Sequence, residues 1–196
     1  MLARLIAIAL MAGVLLPAQN ASRPAPGKFL IASRDLRDPT FAETVVLLID
    51  HSRKGSMGLV VNRRSRLRLD RLSDDLRGSA ERRDPLYLGG PVSRTGIVAL
   101  LRAPTPPEDA KPVFQDVYLL SQKDQIEATI TAGNGRDSFR VYLGYSGWGP
   151  GQLAFEQEMH SWHILAADPA QVFDPHPETL WSRLIRKTEA RFAHLL

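Results

Sequence analysis

The sequence predicts an α+β fold: a single compact domain in which a mixed β-sheet is flanked by helices. Short apolar runs alternate irregularly with segments of helical spacing, and turn signals join some of the runs directly. This order favours a mixed sheet over the regular strand–helix alternation of a doubly wound sheet. The chain has 196 residues, of which 44% are hydrophobic and 23% charged, which suits one globular domain.

The clearest strand signals form a hairpin. Thr44–Ile49 is a continuous β-branched and aliphatic run, typical of a strand buried on both faces. Met57–Val61 is a second such run, and Ser52–Ser56 supplies the turn between them. The domain opens with an apolar stretch, Lys28–Ala32. Further strands are predicted at Leu86–Leu88, Ile97–Leu101, Val117–Leu120, Phe139–Tyr145, whose polar and apolar residues alternate, and Trp162–Ala166.

Helices are predicted from leucine spacing and capping residues. Leucines at helical spacing indicate a helix within Leu67–Arg77. Ser121 with Asp124 has the spacing of a capping box, and Gly133 would end that helix near residue 132. The other helical predictions are a turn starting at Asp38-Pro39, a helix from the 147–151 loop to Ser161, a turn over Asp168–Phe173, and a C-terminal helix with Leu180, Trp181, Leu184, Ile185 and Thr188 on one stripe. Ala103–Pro112, rich in proline, is predicted to be an exposed loop.

Residues 1–21 have the pattern of a secretory signal peptide. Arg4 precedes the apolar run Leu5–Leu16, which is short for a spanning helix, and a proline and small residues follow. An uncleaved anchor, or a start codon assigned upstream of Pro26, would also account for this segment. We therefore predict a periplasmic or secreted protein, with a cytoplasmic one as the alternative.

The remaining chain divides into a linker at residues 22–27 and a domain at residues 28–196. No spanning segment is expected after leader removal. The formal net charge of +4 is mild and does not by itself indicate nucleic acid. The chain has no cysteine, which excludes disulfides, a thiolate nucleophile and cysteine metal sites.

Four short motifs follow one another along the chain. They are Asp38–Phe41 leading into Thr44–Leu48, Gly55–Arg63, Tyr87–Val92, and Gly144–Leu153. On these motifs, residues 27 to 187 resemble the YqgE/AlgH family. The resemblance implies a compact α+β fold with bulged, coiled β-sheets. It also implies a family often described as transcriptional regulators, without an established DNA-binding motif or catalytic mechanism.

The chain departs from the family pattern at three points. Arg64 stands where the family typically has proline, and Ser146 stands where alanine is usual. The family is generally regarded as cytoplasmic, so the leader-like segment is a further departure. It weakens the regulator interpretation for this chain.

The first functional hypothesis is a non-enzymatic binding or accessory protein exported to the bacterial envelope. An exposed loop surface around the glycine motifs would engage an unknown protein partner or a small ligand, with no cofactor. The candidate contact residues are Asn62, Arg63, Gly89, Gly90, Trp148, Gly149 and Gly151.

The second hypothesis is a cytoplasmic transcriptional regulator whose start site was misassigned. Arg63, Arg64, Arg66 and Arg68 are then the candidate contacts for nucleic acid or another anion. A solvated connection between a strand and a helix is the structural alternative for this segment. If the protein is exported, no nucleic-acid partner is expected.

A hydrolase using Ser146 is the third hypothesis. Its surroundings depart from the Gly-x-Ser-x-Gly nucleophile elbow, because position 148 is tryptophan. The glycines at 147, 149 and 151 could expose backbone N–H groups to an anion, but a tight strand-to-helix connection explains them more simply. His160 and His163 lack a metal-site pattern, and no metal is predicted.

Overall fold

Ten strands form one mixed sheet in the computed structural model, which describes residues 23–72 and 74–193. The strands are β1 (Lys28–Ala32), β2 (Val45–Ser52), β3 (Gly55–Val60), β4 (Arg64–Arg68), β5 (Pro85–Leu88), β6 (Val92–Arg102), β7 (Lys111–Phe114), β8 (Val117–Leu120), β9 (Phe139–Trp148) and β10 (Trp162–Ala166). The helices are α1 (Lys123–Thr131), α2 (Gln152–Glu158), α3 (Pro169–Val172) and α4 (Leu180–Ala193), with short 3-10 helices at Leu69–Leu72 and Pro177–Thr179. The predicted signal peptide, residues 1–21, lies outside the described residues.

Strand β9 is the centre of the sheet. The strand order is β10-β1-β2-β3-β9-β6-β8-β7, and β5 joins β9 in parallel while pairing with β4 on its other side. The remaining strand pairs are antiparallel, so the sheet is mixed, as the sequence predicts. The predicted hairpin of β2 and β3 is confirmed.

The sheet is bulged and coiled. Its register shifts between Leu48 and Asp50 in β2, and between Val92 and Ile97 in β6. The coiling brings β7, at one end of the strand order, close to β2: Lys111 Nζ lies 2.6 Å from Asp50 Oδ2. These features confirm the α+β fold with bulged, coiled sheets.

Apolar residues cover both faces of the sheet in three clusters. The α4 cluster includes Phe29, Leu47, Tyr142, Phe173 and Leu184. The α1 cluster includes Leu69, Leu76, Ile126, Ile130, Phe139 and Val141. The tryptophan cluster includes Leu30, Val46, Trp148, Leu153 and Trp162. Adjacent residues of one strand enter different clusters because successive strand side chains point to opposite faces.

The predicted helix over Leu67–Arg77 is wrong. The chain there continues β4 as far as Arg68, forms a 3-10 helix and then a series of turns. Backbone N–H groups of Leu69 and Asp70 donate to the carbonyls of Asp84 and Arg82, so pairing with the returning chain replaces local helical bonds. Leu69 and Leu76 are nevertheless buried and Leu72 is partly buried, and all three pack in the cluster around α1.

Several boundaries also differ from the prediction. Gln122, not Ser121, caps α1, and its N–H donates to Gln125 Oε1 at 3.3 Å. Strand β7 begins at Lys111, within the segment predicted as a loop. Helix α2 ends at Glu158 rather than near Ser161.

The helical turn predicted at Asp38-Pro39 is present: the N–H groups of Phe41 and Ala42 donate to Asp38 O at 3.0 Å, and Asp38 Oδ1 accepts from Thr40 N–H as a cap would. The short α3 after Asp168, the C-terminal helix and the helix end at Gly133 are confirmed.

The alternation of polar and apolar residues in β9 does not produce alternating exposed and buried side chains. Both Arg140 and Tyr142 are buried, and the strand extends to Trp148 instead of ending at Tyr145. Arg140 donates from Nη1 to Val172 O at 2.8 Å and from Nη2 to Asp174 O, which ties it to the end of α3, while its buried Nε has no hydrogen-bond partner among the described residues. Its guanidinium also lies 4.7 Å from the ring centroid of Tyr87. Burial raises the pKa of Tyr142 above its ordinary value, although the charge of Arg140 acts in the opposite direction.

Within residues 23–72 and 74–193, no helix combines the length and apolar character that crossing a bilayer requires.

Candidate functional site: an arginine cleft where the motifs meet

The third motif, through Gly89, contacts the backbone of the second motif and of the fourth. Gly89 N–H donates to Leu143 O at 2.9 Å, and Gly89 O accepts from Val60 N–H at 2.9 Å. A Cβ atom at Gly89 would lie 2.3 Å from the carbonyl oxygen of Gly144. Only glycine permits this approach, which places the segment after β5 directly against β9.

Asn62 joins the first motif to the second. Its Oδ1 accepts from Val45 N–H at 2.8 Å, and its Nδ2 donates to Glu43 O at 2.9 Å. Glu43 has a φ of 56°, so the side chain of Asn62 stabilises a turn that few residues adopt readily. Asn62 is buried, and its amide is satisfied within the protein rather than offered to a partner.

A cleft of about 230 Å³ opens beside this junction, and we call it the arginine cleft. Its lining residues are Thr40, Val60, Arg63, Leu88, Gly90, Pro91, Arg94 and Leu143. Each of the four motifs contributes to the wall or to its immediate backbone support. The cleft therefore brings Arg63 and Gly90 together, and their role as a contact surface stays a prediction.

Arg63 lines the cleft and is half-buried. Its guanidinium donates to the carbonyl oxygens of Thr40 and Ala42, the latter at 3.0 Å. Partial burial lowers the pKa of Arg63 from its ordinary value, while the charge of Asp38 acts in the opposite direction. Within the described residues Arg63 forms no carboxylate ion pair, so its positive charge is bonded only to neutral oxygens.

Arg94 lies at the bulge of β6 and also lines the cleft. It is exposed, and it forms no hydrogen bond or ion pair with the part of the chain that the structure describes. Ser93 immediately before it has a φ of 48°, and the register shift between Val92 and Ile97 carries Arg94 out of the regular pairing with β9. The bulge thus presents a cation that the fold itself does not use.

Trp148 lies in a separate aromatic cluster and is buried. Its ring stacks on Phe41 at 5.8 Å between centroids and meets Trp162 edge-on at 6.0 Å. Glu156 Oε2 accepts from the Nε1–H groups of both tryptophans at 2.8 Å. Trp148 therefore anchors α2 to the sheet, and neither it nor Asn62 belongs to an exposed surface.

Gly149 and Gly151 form the connection to α2 and do not line the cleft. Gly149 N–H donates to Gln152 Oε1 at 3.0 Å, and Gly151 has a φ of 76° at the N-cap. These contacts explain the glycines by backbone conformation. A contact with a partner at this loop stays a prediction.

The four arginines predicted as anion contacts, Arg63, Arg64, Arg66 and Arg68, do not form one exposed surface without contacts to the rest of the protein. Arg64 Nη2 donates to Pro175 O at 3.0 Å, and Arg68 forms an ion pair with Asp70 at 2.6 Å. Arg63 belongs to the cleft, which leaves Arg66 as the member of the predicted set without such a contact in the described residues. The segment is strand β4 paired with β5, not a connection to a helix.

Ser146 is a structural residue in this arrangement. Its buried hydroxyl donates to Gly89 O at 3.0 Å, which adds a hydrogen bond at the junction of the motifs. Partial burial lowers the pKa of His163, and its neighbourhood includes Glu189 and His160. Among residues 23–72 and 74–193, no three histidine, aspartate or glutamate side chains are grouped as a metal site.

Sequence reasoning missed the other lining residues of the cleft: Thr40, Val60, Leu88, Pro91, Arg94 and Leu143. Leu88 and Pro91 flank the glycine pair in the third motif, so their position next to Gly89 and Gly90 was an available signal. Arg94 had none, because only the bulge of β6 directs it to the cleft.

Comparisons with known proteins identify relatives over most of the chain. A model of the AlgH-like family, a domain of unknown function, matches residues 29–193. A UPF0301 protein of Chlorobaculum tepidum is 33% identical over 171 residues, covering 87% of this chain and 90% of the relative. A UPF0301 protein of Bacteroides thetaiotaomicron is 32% identical over 174 residues, covering 88% and 87%.

Solved structures share the fold. The solution structure of the AlgH protein from Pseudomonas aeruginosa has a TM-score of 0.68 and 32% identity, covering 82% of this chain and 87% of that protein. A crystal structure of a Corynebacterium diphtheriae protein has a TM-score of 0.70 over 91% and 94% of the two chains, at 24% identity. The second likeness concerns the fold alone.

Proposed function

This chain belongs to the AlgH-like family, and we propose that it is a non-enzymatic binding protein that recognises its partner or ligand through the arginine cleft. The observation that carries the proposal is that two arginines and several aliphatic side chains line the same cleft. Within the described residues, Arg63 is half-buried and bonded only to carbonyl oxygens, and Arg94 lines the same cleft without a hydrogen bond or ion pair. Leu88, 43% exposed, supplies the apolar side.

A binding role is favoured over acyl transfer by what Ser146 does. A nucleophilic serine needs an accessible hydroxyl activated by a base, whereas this hydroxyl is buried and donates to Gly89 O. The Ser146→Ala variant is expected to lose one hydrogen bond and to keep its binding properties. Loss of a measured hydrolytic activity in that variant would instead favour the hydrolase hypothesis.

Site-specific photo-cross-linking in cells tests the cleft. A photoreactive amino acid at position 88 is expected to capture a specific species, and one at the similarly exposed Leu67 is not. Adding Arg94→Gln is expected to abolish the product, while Arg53→Gln, which changes an exposed arginine on the β2–β3 turn, leaves it intact. Equal products at positions 88 and 67, or a product insensitive to Arg94→Gln, would contradict the proposal.

We also propose that the protein is exported to the bacterial envelope, on the pattern of Arg4, the Leu5–Leu16 apolar run and the small residues that follow. Cell fractionation with N-terminal sequencing tests this separately from the cleft. A periplasmic product beginning near Gln19 or Ser22 is expected. A cytoplasmic product that begins at Met1 or downstream would overturn export and favour the regulator hypothesis.

A further inference from the structure

We infer that the ligand class of the arginine cleft is a small organic carboxylate whose apolar stem packs on Leu88, Pro91 and Leu143. This inference rests on the proposed function. It adds the chemistry of the ligand, which neither the fold nor the family supplies.

The two arginines that line the cleft favour an anionic ligand. A guanidinium has five N–H donors in a planar fork, and two bonds of Arg63 to carbonyl oxygens leave others available. Arg94 keeps all of its donors available within the described residues. A carboxylate matches the geometry of such a fork and forms charge-assisted bonds about twice as strong as neutral ones.

The wall of the cleft requires an apolar group on that anion. Val60, Leu88, Pro91 and Leu143 supply its aliphatic lining, whereas Thr40 and Gly90 are the uncharged polar contributions. Leu88 is 43% exposed in the free protein, so a stem placed against it would remove apolar surface from water. An inorganic anion would leave this surface wet.

The size of the cleft limits the ligand. Its volume of about 230 Å³ lies below the roughly 300–1,000 Å³ of sites for drug-sized molecules. A carboxylate with a stem of a few carbons fits this space. Cationic and aliphatic side chains line the same cleft, so the carboxylate and the stem of such a ligand each have matching groups in it.

Calorimetric titration of the purified protein with a homologous series provides the test. The probes are propionate, butyrate and pentanoate, with pentanamide and inorganic phosphate as controls. Affinity is expected to rise about fourfold for each methylene that becomes buried, the factor that corresponds to about 0.8 kcal/mol per CH₂. Pentanamide, which has the stem without the charge, is expected to bind at least tenfold more weakly than pentanoate.

Two matched pairs of variants separate the two recognition elements. Arg94→Gln is expected to weaken pentanoate binding about tenfold or more, while Arg53→Gln leaves it unchanged, since both arginines are exposed and lack folded-state bonds in the described residues. Leu88→Ala is expected to flatten the dependence on chain length, while the similarly exposed Leu67→Ala is not. Neither Arg53 nor Leu67 lines the cleft.

Three results would overturn the inference. Phosphate binding as tight as pentanoate would assign the cleft to phosphoryl or inorganic anions. Equal binding of pentanamide and pentanoate would show that the charge is not recognised. Absence of saturable binding by every member of the series would reject small carboxylates, and a cross-link at position 88 that still requires Arg94 would then preserve the binding function alone.

Discussion

At the scale of single residues, Glu156 organises the aromatic cluster. One of its oxygens accepts from Trp148 and Trp162, and the other accepts from Gln152 Nε2 at 2.9 Å. Replacing it by alanine leaves two indole N–H groups without their acceptor, and each unsatisfied buried donor costs about 1–3 kcal/mol.

We therefore expect Glu156→Ala to lower the free energy of unfolding by about 2–4 kcal/mol, measured by urea denaturation. Glu156→Gln keeps one acceptor oxygen and is expected to cost less. Glu158→Ala, at an exposed position two residues away, is the control and is expected to change stability by no more than about 0.5 kcal/mol. Equal losses in the variants at 156 and 158 would contradict this role for the tryptophan contacts.

Gly89 allows a residue-scale test of the junction between the motifs. Its φ is not positive, so alanine would be tolerated by the backbone but would place Cβ 2.3 Å from Gly144 O. We expect Gly89→Ala to destabilise the protein by about 3 kcal/mol or more, because the clash is with backbone rather than with a movable side chain. Gly135→Ala meets nothing within 4 Å and is expected to be neutral or slightly stabilising. Similar thermal denaturation midpoints for the two variants would refute the steric argument.

At the scale of elements, Asp174 connects the end of α3 to α4. It accepts from Arg183 on α4, and from His176 N–H at 2.8 Å. Burial alone would raise the pKa of Asp174, but these hydrogen bonds and the neighbouring arginine charges more than offset it and hold the pKa below its ordinary 3.8.

A lowered carboxyl pKa contributes stability that is present above the ordinary value and is lost as the pH falls through the folded-state pKa. We expect Asp174→Asn to cost about 1–2 kcal/mol at pH 7, since it removes a charged hydrogen bond. This difference from the wild type is expected to shrink below pH 3.8. Urea denaturation between pH 7 and pH 3 measures it, with the exposed Asp35→Asn as control. A difference that stays constant over this range would exclude the ionised carboxylate as its source.

Some secondary-structure elements could be predicted from sequence patterns alone, and others could not. The β2–β3 hairpin and α4 were predictable because their signals are local: an uninterrupted β-branched run around a turn, and one apolar stripe. Leu67–Arg77 was not, because its leucines have helical spacing while backbone bonds to Asp84 and Arg82 determine its conformation. Long-range pairing of this kind leaves no periodic signature.

The same contrast holds for the candidate site at the scale of the whole molecule. Arg63 and Gly90 could be proposed from their motifs, and the fold does bring them together. Trp148 belonged to an equally distinctive motif, yet it became a buried anchor because the coiling of β9 turns its end into the tryptophan cluster. Arg94 enters the cleft through a bulge, whose position depends on how β6 pairs with β9. Motif residues were thus recognisable, but their division into surface and core depends on the tertiary fold.

The molecule as a whole is expected to unfold as one cooperative unit, because β9 contributes to all three clusters. Val141 belongs to the α1 cluster, Tyr142 to the α4 cluster, and Trp148 to the tryptophan cluster. Loss of any one cluster therefore exposes a strand that the other two need. The tryptophans lie outside the α1 cluster, so their fluorescence reports on that cluster only through this coupling.

Ile126→Ala in α1 tests the coupling at a distance. Ile126 is 1% exposed, and truncating such a side chain costs about 2–5 kcal/mol. We expect the same loss from tryptophan fluorescence and from far-ultraviolet circular dichroism along one urea titration. Met159→Ala, at a 64% exposed position, controls for truncation alone and is expected to shift neither transition by more than about 0.5 kcal/mol. If dichroism fell at lower urea in Ile126→Ala while fluorescence kept its midpoint, the α1 cluster would be an independent unit and β9 would not couple the two sides of the sheet.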